Sequence, residues 1–240
     1  MHPHAGHPQT TSEPGSLSFT LRESTAELHT QAERSALQRL LVTGRATREQ
    51  YAQHLAQMLV VHRALDSALR SAATRHPAVA TVVRDEHYQE PYLIEDLAFL
   101  GVDAGSIEPV AAAAAIVEEI KRVEKECPAA LLGYHYVLEG ANNGNRYIAK
   151  AVAGSLSVRP GEPGTRYLDP YGERQRPIWA QFKVDIDSVA VTERERARII
   201  ECARRMFEAV AWIGDEVMER CGAGVVVLPV GPAVGISRSS

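Results

Sequence analysis

Apolar residues recur at steps of three and four along most of this 240-residue chain, and this spacing limits the folds open to it. Residues three and four apart share one face of an α-helix, so the spacing is typical of amphipathic helices. The clearest example places on one face Tyr51, Leu55, Met58, Leu59, His62, Leu65 and Leu69. Between residues 17 and 221 no segment alternates as a strand does. We therefore predict an all-α, single-domain bundle of about seven helices.

Local signals set several helix boundaries. Thr47 with Gln50, and Thr192 with Glu195, have the spacing of capping boxes, in which side chains satisfy the free amides of a first turn. Pro128 suits the first turn of a helix that we expect to run to about Ala153. The first predicted helix covers about 18 to 42, and a loop rich in Gly and Pro is expected at 154 to 172.

The two ends differ from this body. Residues 1 to 16 carry three Pro and three His, and we expect a disordered tail. Residues 222 to 240 are expected to form an extended C-terminal tail, which leaves a helical domain at 17 to 221. The apolar stretch 222 to 236 is shorter than the roughly 20 residues that a membrane helix needs. We find no secretion signal, and we expect a cytoplasmic protein without a membrane anchor.

Composition excludes two further classes of function. The formal net charge is -4, whereas nucleic-acid-binding domains are normally basic. Three scattered cysteines are too few for a disulfide framework or a cysteine-based zinc site. Any metal chemistry must therefore depend on other ligands, and histidine is the obvious candidate.

One histidine on the first predicted helix has a suggestive setting. Glu33 follows His29 by one turn, and Arg22 precedes it by two turns. A metal-bound histidine usually needs an acceptor on its other ring nitrogen, and a carboxylate four residues on can supply it. Arg22 would place a cation beside an anionic ligand. The alternative is a surface histidine with ordinary helical charge pairs.

The fifth predicted helix contains unusually poor helix formers. Gly140 and Gly144 lie four apart, Gly133 lies seven before Gly140, and Asn142 and Asn143 share the same turn. Each glycine costs about 1 kcal/mol relative to alanine inside a helix. Close approach of the backbone to a flat ligand would explain the cost. Two alternatives would also explain these residues. The glycines could permit a close contact between two helices, or the helix could break at Asn142–Asn143.

The two features together resemble the haem oxygenase family. The segment LHTQAE at 28 to 33 is similar to the proximal-histidine helix of that family. The segment YVLEGANNG at 136 to 144 is similar to the glycine-containing distal helix of that family. Weaker similarity spans about residues 18 to 220. The resemblance implies an enzyme that binds haem as substrate and cofactor. It would cleave haem with O2 to biliverdin, CO and Fe(II), using electrons from a separate reductase or ferredoxin.

The resemblance also implies roles for individual residues. His29 corresponds to the axial iron ligand and Glu33 to its hydrogen-bonding partner. Gly140 and Gly144 correspond to the residues that let the distal helix lie against the porphyrin and flex. Arg22 corresponds to a basic residue that faces the haem propionates.

The resemblance implies further basic residues that contact the haem propionates, but this sequence has only some of them. Lys183 matches another propionate contact, but Trp179 occupies a further position that is basic in the family. Tyr134 or Arg146 would have to compensate for that loss.

The distal motif departs from the family at one position. An acidic residue often follows the first distal glycine, and Ala141 stands there in this chain. Asn142 and Asn143 are expected to order water in its place. If they do not, the alternative is a haem- or tetrapyrrole-binding protein of the same fold that does not degrade its ligand.

A third hypothesis is a non-haem di-iron centre in the helical bundle. The histidines on the second helix are eight residues apart, and no Glu-x-x-His pair is present, so the pattern does not favour it. Its candidate ligands would be His54, His62, Glu86, His87 and Glu90.

Overall fold

The computed structural model describes residues 13 to 222, and within them it contains nine α-helices and no strand. This confirms the all-α prediction. The predicted tails at 1 to 16 and 222 to 240 lie almost entirely outside the described residues. The helices are α1 Leu17–Glu33, α2 Ala36–Val42, α3 Arg48–Ala73, α4 Pro77–Val82, α5 Glu90–Phe99, α6 Ala111–Glu126, α7 Leu131–Leu156, α8 Gln175–Ser188 and α9 Glu193–Cys221.

The helix count exceeds the prediction because local caps divide the chain more finely. The first predicted helix is two helices, since the Ser35 hydroxyl accepts a hydrogen bond from the amide of Gln38 at 3.4 Å and starts α2. Such a cap satisfies a first-turn amide and allows the chain to turn. The short α4 adds another helix. The capping boxes at Thr47 and Thr192 are both present.

The long helix α7 runs without interruption through the segment rich in Gly and Asn. The alternative of a break at Asn142–Asn143 is therefore wrong. A 3-10 turn, Pro128–Ala130, precedes α7, so Pro128 lies just before the helix rather than in its first turn.

Helices α7 and α9 cross closely at Gly133. A Cβ atom at this position would collide with the carbonyl oxygen of Ile199 and would lie 2.8 Å from the amide nitrogen of Ala203. Only glycine permits this approach of two backbones. The helix–helix explanation of the glycines is therefore confirmed for Gly133.

Helix α1 packs on α8 and α9, and α7 packs on α2, α3, α8 and α9. The buried apolar side chains form one continuous core. In the part of the chain that the structure describes, no helix is both long and apolar enough to span a bilayer. The packing leaves an opening between α1 and α7, and the candidate site lies there.

Candidate functional site

A cavity of about 690 Å³ lies between α1 and α7. Helices α2, α3, α8 and α9 complete its walls. Sites for cofactors and other small molecules occupy roughly 300 to 1,000 Å³ and are lined mainly by apolar side chains. The apolar part of this lining includes Met58, Leu138, Trp179, Phe207 and Val210.

His29 lies on the α1 wall of the cavity. Its Nδ1 atom is 3.6 Å from Oε1 of Glu33, and its ring meets Phe207 edge-on with centroids 5.7 Å apart. The imidazole is 57% exposed, so an incoming ligand can reach it. A carboxylate beside Nδ1 favours a proton on that nitrogen, which leaves the lone pair on Nε2. His29 can therefore act as a nitrogen ligand to a metal.

Gly140 and Gly144 of α7 line the same cavity. A Cβ atom on Gly140 would lie 3.2 Å from the Trp179 indole, so this glycine lets Trp179 pack closely. A Cβ atom on Gly144 would have no neighbour within 4 Å among the described residues. Because Gly144 also lines the cavity, a side chain there would occupy space that glycine leaves open.

The two asparagines predicted to order water point in different directions. Asn143 lines the cavity, and its Nδ2 atom donates a hydrogen bond to the carbonyl oxygen of Gly140 at 2.9 Å. Asn142 is buried elsewhere, because its Nδ2 atom donates to Oε2 of Glu139 at 3.3 Å. Of the two, the structure brings only Asn143 to the cavity, where it neighbours Ala141.

The predicted cations are also only partly brought together. Arg22 lines the cavity and pairs with Glu23 at 3.0 Å, while Lys183 and Arg146 are not among the lining residues. Lys183 lies one turn beyond Trp179 on α8 and is half-buried. Tyr134 is fully buried, and its hydroxyl donates to Glu119 at 2.9 Å. The expectation that Tyr134 compensates for a missing cation is therefore corrected.

Several polar residues that were not assigned to this site line it as well, and His54 and Tyr167 are two of them. His54 on α3 faces the cavity, its Nδ1 atom is buried without a partner, and burial lowers its pKa to about 4. Tyr167 comes from the loop between α7 and α8. The spacing of His54 on α3 could have indicated its direction. No sequence signal pointed to Tyr167, because loop residues follow no helical period.

The residues of the di-iron hypothesis do not form a metal site. Among residues 13 to 222, no three His, Cys, Asp or Glu side chains converge to hold a metal ion. His87 instead contacts His135, with Nδ1 and Nε2 3.2 Å apart. Glu86 and Glu90 pair with arginines.

The described geometry is suited to one kind of ligand. A nitrogen donor, two helical glycines and a guanidinium line one mainly apolar cavity. A flat macrocycle with a central metal and anionic edge groups matches these features.

Comparison with known proteins agrees with this geometry. The family model described as "Heme oxygenase" matches residues 15 to 213. Heme oxygenase 1 of Pongo abelii is 24% identical over 216 residues, covering 88% of this chain and 75% of the relative. Heme oxygenase 2 of Synechocystis is 26% identical over 198 residues, covering 80% and 78%. The solved structure of heme oxygenase from Leptospira interrogans superposes with a TM-score of 0.77 at 25% identity, covering 84% and 99%.

Proposed function

The chain belongs to the haem oxygenase family, and on that basis we propose that it binds haem between α1 and α7 and degrades it. The reaction uses O2 and electrons from a separate reductase or ferredoxin in the cytoplasm, and it yields biliverdin, CO and Fe(II). One observation supports the proposal: His29 of α1 and the two glycines of α7, Gly140 and Gly144, line the same cavity.

The residues present fit haem. The open space at Gly144 is a cradle that a Cβ atom would begin to fill, as expected where a backbone lies against a flat ring. The aromatic and aliphatic lining suits the porphyrin faces. A histidine in the same lining suits iron, for which a neutral imidazole is a common ligand.

His29 would hold the iron through Nε2, and Glu33 would keep the proton of the ring on Nδ1. A hydrogen-bonded partner of this kind orients a metal-bound imidazole and makes it more basic. When bound, haem supplies redox-active iron and is itself the ring that is oxidised. Arg22 would pair with a propionate, and Lys183 and Arg146 stay candidates for further cations.

The wall around Gly140 would control access to the ring edge. Gly140 holds Trp179 close, and Trp179 stacks on Phe182 with centroids 5.2 Å apart and planes at 17°. This apolar surface would keep bulk water from part of the cavity. Of the amide side chains that line the cavity, Asn143 is the one that we propose to hold an ordered water.

Titration with hemin tests the binding part of the proposal. We expect the wild-type protein to give a Soret band and His29→Ala to lose that band or shift it. Reduction by ascorbate or a ferredoxin system should then bleach the wild-type band and produce biliverdin absorption. Unchanged hemin binding and spectrum in His29→Ala would overturn the assignment of His29.

Two alanine variants of α7 provide a matched test of the glycine lining. Gly144 and Gly154 both lie inside α7, and a Cβ atom at either position meets nothing within 4 Å in the part of the chain that the structure describes. Only Gly144 lines the cavity. We expect Gly144→Ala to weaken hemin binding about tenfold, or about 1.4 kcal/mol. Gly154→Ala should leave the affinity unchanged, and equal effects would place haem elsewhere.

A second candidate function is haem binding without degradation. The observation that favours it is Ala141, which lines the cavity at the position where many family members carry an acid. A stable ferrous-oxy spectrum that no electron donor bleaches would support this alternative over the oxygenase.

A further inference from the structure

Three buried polar side chains, those of Asp66, His62 and Tyr167, lie in a row that ends at the cavity. The Nε2 atom of His62 is 3.3 Å from the hydroxyl of Tyr167, within hydrogen-bond distance. Nδ1 of His62 makes no hydrogen bond among the described residues, but it lies 3.7 Å from Oδ1 of Asp66, which is close enough for electrostatic attraction. All three residues are at most 4% exposed. Of these three residues, Tyr167 lines the cavity. We call this row the Asp66–His62–Tyr167 relay.

The hydrogen bonds of Asp66 set the direction of this relay. Its Oδ2 atom accepts hydrogen bonds from the backbone amides of Gln89 and Glu90 at 3.1 and 3.2 Å, which hold a carboxylate in place. Its Oδ1 atom is then left to face His62. An ionised carboxylate only accepts hydrogen bonds, so it favours the His62 tautomer with a proton on Nδ1.

The tautomer of His62 in turn orients Tyr167. With the proton on Nδ1, Nε2 carries a lone pair, and the Tyr167 hydroxyl must donate to it. Burial also raises the pKa of Tyr167, so the phenol keeps its proton. The remaining lone pairs of the phenol oxygen can then only accept a hydrogen bond. The relay therefore fixes the polarity of the hydroxyl of a residue that lines the cavity.

A second buried carboxylate holds the loop that carries Tyr167. Asp96 is fully buried and accepts hydrogen bonds from the backbone amides of Gly164, Arg166 and Tyr167 at 2.7 to 2.9 Å. These bonds tie a loop residue to α5 and restrict its position. Tyr167 is thus held both through its backbone and through its hydroxyl.

We propose that the relay positions water inside the cavity, with Tyr167 as a hydrogen-bond acceptor. This would supply an ordered polar group in a cavity where Ala141 has none. Asp66 and His62 are positioning residues, because they act through Tyr167. The haem-dependent part rests on the proposed function, whereas the polarity of the relay does not.

Nitrogen-15 NMR of the haem-free protein tests that polarity directly. We expect His62 to carry its proton on Nδ1. In Asp66→Asn, the amide oxygen should stay on the Gln89 and Glu90 backbone amides, so the NH2 group faces Nδ1 and donates to it. The His62 proton should then move to Nε2. A proton on Nε2 in the wild type, or no change in Asp66→Asn, would overturn the relay.

The CO stretching band of the reduced haem complex tests whether the relay reaches the ligand. We expect the band to shift in Tyr167→Phe and also in Asp66→Asn, although Asp66 does not line the cavity. Tyr147→Phe is the control, because Tyr147 is 66% exposed and outside the cavity lining. An unmoved band in both test variants would overturn the proposed water positioning. If hemin does not bind while the NMR result holds, the proposed function fails and the relay polarity stands.

Discussion

Glu139 is a buried acid on α7 that should make this protein less stable as pH rises. It is 2% exposed, and it directly precedes Gly140 without lining the cavity. Its Oε2 atom accepts hydrogen bonds from the Tyr171 hydroxyl at 2.9 Å and from Asn142 at 3.3 Å. Its Oε1 atom is buried without a partner. Burial outweighs these bonds and raises the pKa of Glu139 to about 7.

The size of the effect follows from proton linkage. The folded pKa of about 7 exceeds the ordinary value of 4.5, so the folded chain holds the proton more tightly than the unfolded chain. The associated stability is present below pH 4.5 and is lost as pH rises through 7. The full difference is about 3 kcal/mol, and most of it falls between pH 5 and pH 8.

Urea unfolding of Glu139→Gln at these two pH values measures the effect. Glutamine has nearly the same shape, and its oxygen can accept the two hydrogen bonds, but it never ionises. We expect the free energy of unfolding of the variant, relative to wild type, to rise by roughly 2 to 3 kcal/mol from pH 5 to pH 8. Replacing the carboxyl group with an amide can also change the free energy of unfolding by an amount that does not depend on pH. Comparing the two pH values cancels that contribution.

Glu126→Gln is the matched control, because Glu126 is an exposed residue at the end of α6. Its stability relative to wild type should be the same at both pH values. An equal effect of Glu139→Gln at pH 5 and pH 8 would refute the reasoning. The reasoning would also be refuted if Glu139→Gln lost more stability, relative to wild type, at pH 8 than at pH 5. That result would mean that the folded protein needs the ionised carboxylate.

Three other changes have expected outcomes that unfolding measurements can check. Gly133→Ala should lower the free energy of unfolding by at least about 3 kcal/mol, because its Cβ atom would collide with the α9 backbone. Gly154→Ala in the same helix should raise it by up to about 1 kcal/mol, and a similar loss in both would contradict the packing argument. Burial chiefly lowers the pKa of His87 to about 4, so stability should fall by about 3 kcal/mol as pH drops from 6.5 through 4. His87→Gln should remove that part of the acid sensitivity, and an unchanged pH profile would count against it.

Features governed by neighbours along the chain were predictable from the sequence. The capping boxes at Thr47 and Thr192 formed as predicted, because their hydrogen bonds span only three residues. The helical class followed from apolar spacing in the same way. Glu33 lies near His29 because the two residues are one helical turn apart. The distance of 3.6 Å between Nδ1 of His29 and Oε1 of Glu33 agrees with that spacing.

Features governed by packing between distant segments needed the tertiary structure. Asn142 and Asn143 look equivalent in sequence, yet successive residues point about 100° apart around a helix, so one meets Glu139 and the other the cavity. The rotation of α7 that decides this depends on its packing against α2, α3, α8 and α9, which includes the close backbone contact at Gly133.

The sequence by itself thus determined an all-α body and the two helical segments that carry the site. Only the tertiary structure decided which side chains of those segments face the cavity, and it added Tyr167 from a loop held by Asp96. The physical reason is the range of the interactions. Helix periodicity and capping act over three or four residues, whereas Asp96 and Tyr167 are 71 residues apart and meet only when the chain is packed.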